Sequence, residues 1–200
     1  HKGGRTVTEG LTAHFTDFSF TANPLHKNLR YARAYGYPSL PIPPGLVMAV
    51  AFSQTVEDIS ENARANLEYI DMRFGSAVYA GDTIETETTV LGVKSSASRP
   101  ELGVVHVQSV ARKQSGEIVL AYQRKVQVFR HDPGAALDEG EVAAAHVDVE
   151  LELPAYDANG GYSELAHLSN ADTYFEDFVP GDTIEHSRGR VMTDEHIFLT

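Results

Sequence analysis

The residues best equipped for chemistry stand together in the short turn Thr21-Ala22-Asn23-Pro24-Leu25-His26, which carries an imidazole and a carboxamide. Further on comes Pro43-Pro44-Gly45-Leu46-Val47-Met48-Ala49-Val50-Ala51-Phe52, a nearly wholly apolar run stopped by prolines and opened by a glycine. A helix that starts there has backbone N–H groups with no partner inside the helix. Such an N-terminus, faced by a polar titratable turn, suits binding and polarising a carbonyl. Asn23, His26 and Gly45 are therefore the first candidates, and Arg73, at the end of an alternating stretch, is a fourth that could meet a phosphate or carboxylate or else make a surface salt bridge.

Other titratable residues suggest less. His106 sits mid-strand between Val105 and Val107, and His131, Asp132 and His146 lack metal-ligand spacing. His186 and His196 read as surface residues. No metal site and no glycine-rich nucleotide loop is expected.

The elements that must hold the candidates follow from periodicity. Thr8 can cap a helix whose apolar side is Leu11, Phe15 and Phe18, and Pro24 ends that pattern. A second short helix is expected over 27–34. Residues 37–44 are extended, because each proline turns its predecessor away from helical angles. From Gly45 to about Asn62 the sequence predicts the central helix, apolar on nearly every side in its first two-thirds and so buried all round. Alternation then predicts strands over 67–74, 83–93, 104–113 and 117–130, with turns at Gly81-Asp82 and Gln114-Ser115-Gly116. One buried helix followed by long antiparallel strands implies an α+β fold with a curved sheet wrapped around the helix.

Composition bounds the function. The 200 residues contain no cysteine, which excludes disulfides, thiolate metal sites and a cysteine nucleophile and favours a reducing, cytoplasmic setting. The longest apolar stretch, 38–53, is interrupted by Pro38, Pro41, Pro43 and Pro44, so no membrane span is expected. The net charge of −12 is unequally placed: residues 1–130 carry twelve acidic against fourteen basic side chains, residues 131–200 sixteen against two. That acidic second part argues against nucleic-acid binding, while the first part remains compatible with a small anionic ligand.

Residues 131–171 read as an acidic linker that can still lie on the protein surface. Beyond them His186-Ser-Arg-Gly189-Arg190-Val-Met-Thr193-Asp194 repeats the pattern of His1-Lys-Gly-Gly4-Arg5-Thr-Val-Thr8-Glu9, so residues 172–200 are expected to open a second copy of the domain in 1–130. The first strand of the first copy is expected to lie outside these residues.

Asn23-Pro24-Leu25-His26, the Gly45 helix, Arg73-Phe74, Gly81-Asp82-Thr83 and the long strands together resemble a hot-dog domain of the MaoC-type enoyl-CoA hydratase family. The stretch Thr55 to Leu67 with Arg73-Phe74-Gly75 is similar to its mesaconyl-CoA hydratase (β-methylmalyl-CoA dehydratase) subgroup, and Tyr174 to Thr183 resembles the first strand of such a domain. The resemblance implies a hydro-lyase acting on a short branched enoyl-CoA thioester, with no metal or redox cofactor, and a homo-oligomer, dimer or higher. A CoA-binding half without catalysis and an acyl-CoA thioesterase on the same fold are the alternatives.

The family's turn reads Asp-x-Asn-Pro-Leu-His, its carboxylate and imidazole holding one water. Here Thr21 stands in the Asp position, and Pro44-Gly45 replaces the usual His-Gly pair. Three readings of His26 stay open: catalytic with Asp17 as substitute carboxylate, a pocket residue in a half-site that makes room for substrate, or a structural histidine.

Overall fold

The computed structural model describes residues 3–136, 138–151, 154, 165, 168, 174–185, 189 and 191–193. Within them the chain forms β1 (Arg5–Thr6), α1 (Glu9–Phe18), α2 (Leu29–Ala34), α3 (Pro44–Ser53), β2 (Ala63–Phe74), β3 (Thr83–Ser95), β4 (Leu102–Lys113), β5 (Ile118–Phe129) and β6 (Gly140–Glu141). The antiparallel strands lie in the order β1-β3-β4-β5-β2. β6 also pairs with β3, so β1 and β6 cover the two ends of one edge of that strand while β2 forms the opposite edge.

The helices begin where capping chemistry allows. Thr8 caps α1 by accepting from the Leu11 N–H at 3.2 Å, and Asn28 caps α2 by accepting from Tyr31 N–H at 3.1 Å. α3 starts at Pro44, whose missing N–H costs nothing in a first turn. It ends at Ser53, well short of the expected Asn62. Beyond it the Gln54 side chain leaves the helix to donate to Ile84 O and accept from Thr86 N–H, while Thr55 Oγ1 bonds back to Phe52 O. A single wide turn, Val56–Ser60, leads into β2.

The sheet wraps α3 as the alternation implies. Leu46, Val47, Val50 and Ala51 of the helix pack with Ile84, Ala111, Leu120 and Tyr122 of the strands into one core. α3 is not buried all round, however. Gly45, Ala49 and Ser53 form an exposed stripe, and being small they leave little apolar area to the solvent.

Arg124 is fully buried in the same core. Its guanidinium donates to Asn66 Oδ1, Thr55 Oγ1 and, more weakly, Ser60 Oγ, and lies over the Phe52 ring 4.7 Å from the centroid. These partners are neutral. The negative end of the α3 dipole also favours the charge there, since Thr55 itself bonds the Phe52 carbonyl in the last turn of that helix.

The segment after β5 crosses the outer face of the sheet. Glu139 accepts from Ser95 N–H, Val142 N–H donates to Leu91 O, Glu141 meets His106, and the Gln108 side chain donates to Ala145 O. Gln108 and His106 belong to the face of β4 turned away from α3. The described part of the expected linker is thus a strap bound to the first domain. The expected repeat rests partly on His1, Lys2, His186, Arg190 and Asp194, which lie outside the described residues, as does His196. No helix among the described residues is long and apolar enough to cross a membrane.

Candidate functional site

His26 sits at the end of the three-residue turn Pro24–His26, and the sequence shapes that turn locally. Pro24 supplies a helical φ at its start, and Asn23 Oδ1 accepts from Leu25 N–H at 2.9 Å. Asn23 is exposed and spends its carboxamide oxygen on this cap, so it fixes where the imidazole is carried. His26 Nδ1 lies 2.8 Å from the carbonyl oxygen of Pro41. A carbonyl can only accept, so Nδ1 carries the proton and Nε2 is left as the acceptor nitrogen.

The imidazole helps line a small pocket of about 140 Å³ whose walls include Leu25, Tyr37, Val47, Phe74 and Leu151. Gly75 also lines it, and a β-carbon there would collide with Ile118 O and come within 3.1 Å of Val149 Cγ1. The chain needs glycine at that point because β5 and the strap both approach its backbone closely.

The candidates are not all brought together. Pro44 lines the pocket; Gly45, next along α3, does not. The side of Gly45 where a side chain would stand faces Phe15, whose Cζ would lie 3.2 Å from an added β-carbon. Leu46 and Val47 N–H groups both turn to Pro43 O, and Pro44 has no N–H, so the Gly45 amide is the first-turn donor open to a ligand.

Thr21 shares a 2.7 Å hydrogen bond with Ser19, and neither it nor the exposed Asp17 is among the pocket's lining residues. No carboxylate lines the pocket among the described residues. Arg73 lies apart as well. Adjacent strand residues face opposite ways, so Phe74 points to the His26 pocket while Arg73 borders a space of about 220 Å³ under the strap, pairing with Asp71 at 2.8 Å.

The sequence reading missed Tyr37 and Leu151. Tyr37 lies in the proline-rich extended run and carried no periodic signal. Leu151 comes from the acidic strap, and only its passage over the sheet brings it to this wall.

With this geometry in hand, the chain can be set beside known proteins. The sequence model of the mesaconyl-CoA hydratase family matches residues 1–165. The chain belongs to the mesaconyl-CoA hydratase family. It is 35% identical over 204 residues to the β-methylmalyl-CoA dehydratase of Chloroflexus aurantiacus, covering 100% of this chain and 57% of that protein. It therefore spans little more than half the length of that relative.

Among solved structures, a MaoC domain protein described as a dehydratase, from the same organism, superposes with a TM-score of 0.74 at 32% identity, over 91% of this chain and 52% of the other. A Mycobacterium tuberculosis protein with a double hot-dog fold gives a TM-score of 0.62 at 24% identity, covering 78% of this chain and 48% of its own. The fold is the expected α+β hot-dog fold.

Proposed function

We propose that the protein carrying these residues is a hydro-lyase that interconverts mesaconyl-CoA and β-methylmalyl-CoA, and that the 1–130 domain is its substrate-shaping half. Membership of the mesaconyl-CoA hydratase family supports the reaction. The observation that carries the division of labour is the pocket itself. It holds an imidazole with a free Nε2 and apolar walls, but no carboxylate among the described residues.

Hydration needs a proton taken from water as its oxygen bonds one alkene carbon, and a proton delivered to the neighbouring carbon. A carboxylate and an imidazole together can hold that water. His26 alone can orient a polar end of the acyl group through Nε2, while the Gly45 N–H suits the thioester carbonyl. A volume near 140 Å³ fits a branched acyl group of a few carbons and leaves the nucleotide end of a CoA thioester outside. Residues 172–200 are proposed to open the second hot-dog domain, whose turn would bring the carboxylate–imidazole pair. The β2 edge, unpaired among the described residues, and the exposed Gly45-Ala49-Ser53 stripe support assembly with a second domain or copy.

The test is the enoyl-thioester absorbance of mesaconyl-CoA mixed with the full-length protein. A fall in absorbance with no release of free thiol supports hydration. Binding without any absorbance change would favour a CoA-binding role, a reading that Thr21 in the carboxylate position also motivates. Release of thiol would mark a thioesterase.

A further inference from the structure

The protein carries an overall charge of −12, yet from Phe18 to Val56 it has no Asp or Glu at all. The only Lys and Arg residues of that stretch are Lys27, Arg30 and Arg33. On α2, Tyr31 and Ala32 are buried, which turns Arg30 and Arg33 to the opposite, solvent side as i,i+3 neighbours. Lys27 is exposed one turn earlier.

Three cations elsewhere in the described residues have acidic partners, Lys125 with Glu68, Lys113 with Glu117 and Arg73 with Asp71, while Arg112, Arg124 and Arg130 bond to neutral groups. The side chains of Lys27 and Arg33 make no hydrogen bond or ion pair among the described residues; the bonds of these two residues are backbone ones. The platform beneath them is firm. Asn28 caps α2, and Tyr31 and Tyr35 stack with centroids 4.5 Å apart and share a hydroxyl hydrogen bond of 3.0 Å.

This face stands beside the candidate site. Leu25 and His26 enter the pocket wall just before it, and Tyr37 enters just after it. We propose that the exposed cations of the Lys27–Arg33 segment bind the phosphate groups of the thioester's nucleotide, outside the His26 pocket. The proposal rests on the CoA-thioester reading above.

Its chemistry follows from size and charge. The pocket is too small for an adenosine phosphate, and the long pantetheine arm carries the phosphates to its rim. There an arginine fork and a lysine give paired and point-charge contacts to phosphate oxygens. A cationic rim on an acidic protein also guides the anion toward one face.

The experiment measures binding of adenosine 3′,5′-bisphosphate, which needs no turnover, to the full-length protein and to its Lys27→Glu/Arg33→Glu variant. The expected result is a loss of about tenfold or more in affinity, with wild-type binding weakening as salt is raised and the variant responding less steeply. In parallel, the preference for the CoA thioester over the matching pantetheine thioester should shrink by a similar factor.

Unchanged affinity for the bisphosphate in a folded variant overturns the proposal. So does a fall in thermal stability with affinity retained, which would assign the patch to acidic residues of the chain itself. If the reversal variant does not fold, Lys27→Gln and Arg33→Gln are measured singly under the same criteria. Bisphosphate binding that depends on Lys27 and Arg33, in a protein that leaves mesaconyl-CoA untouched, upholds this site and rejects the hydro-lyase reading alone.

Discussion

His26 Nδ1 donates to the carbonyl oxygen of Pro41 across 2.8 Å, which ties the imidazole to the extended run leading into α3. The bond sets the tautomer and leaves Nε2 for the pocket. With no carboxylate lining that pocket among the described residues, the proposed function has His26 act on where the acyl group sits rather than on the proton transfer itself. In the full-length protein, His26→Ala should raise KM for mesaconyl-CoA by about tenfold while kcat changes by less than about threefold. A loss of three or more decades in kcat at unchanged KM would instead make His26 a proton-transfer group.

Gly75 is the position where substitution should damage pocket and fold together. An alanine there cannot avoid Ile118 O, and the strap side chain Val149 closes the other side. Because the obstacle is backbone, β5 or β2 has to shift. Gly75→Ala should lower stability by roughly 2 kcal/mol, read from the urea midpoint, and raise KM as the pocket wall moves. Gly81→Ala is no control, since its φ of +100° strains any side chain; Gly140→Ala, with open space around it, should leave the urea midpoint nearly unchanged.

What could be read from the chain and what could not divide on physical lines. The four long strands announced themselves through alternation, since one face of each packs on α3 and the other does not. The His26 turn was legible because Asn23, Pro24 and the imidazole act within a few residues of one another. The end of α3 was not, because Gln54 and Thr55 leave the helix for partners on β3 and β5 that are distant in sequence. The exposed stripe of α3 was hidden by its composition: Gly45 and Ala49 count as apolar or neutral, yet are small enough to face solvent. The strap was read as a linker from its acidic composition, while its attachment depends on Glu139, Glu141 and Gln108 meeting the sheet. Arg73 at its strand end could be read as a ligand contact or a surface salt bridge; it pairs with Asp71, on the other face from His26.

Arg124 and Tyr122 test how the buried polar cluster under α3 is held. Arg124→Ala strips Thr55, Asn66 and Ser60 of their donor and opens a void, so it should cost roughly 3 kcal/mol in urea unfolding. Arg124→Met keeps most of the packing against Phe52 and should cost less than half as much. Equal losses would show that the guanidinium hydrogen bonds matter more than the filled volume.

Tyr122, beside it, has a buried hydroxyl that makes no hydrogen bond of good geometry among the described residues. Burial pushes its phenol above the ordinary 10.0, opposed only in part by the nearby Ser109 hydroxyl and the Arg124 charge. The folded protein thus favours the neutral phenol. That contribution is complete below pH 10.0 and is lost as pH rises through the elevated value. Tyr122→Phe should leave neutral-pH stability unchanged or raise it by up to about 1 kcal/mol, and should flatten the decline of Tm in alkali. An alkaline decline identical to that of the wild type would remove Tyr122 as its source.

At the other pH extreme, the strap should loosen from its β6 end. The Ser95 hydroxyl, first, and then the Ser95 N–H, which the Glu139 carboxylate accepts at 2.8 Å, hold its pKa below the ordinary 4.5, with Lys94 and Arg130 adding smaller favourable fields. A lowered value means that the folded state favours the carboxylate. The attachment is therefore intact above pH 4.5 and is lost as pH falls through the depressed value. Hydrogen exchange at the Ser95 amide should accelerate over that acid window beyond its intrinsic pH dependence, ahead of the amides of β4 and β5. Glu139→Gln keeps an acceptor that does not titrate, so it should remove the acid-dependent step while leaving the β6 pairing to β3 in place. If exchange at Ser95 rises equally in the variant, the strap is released by another acidic group, and Glu141 at His106, 3.0 Å away, is the next to substitute.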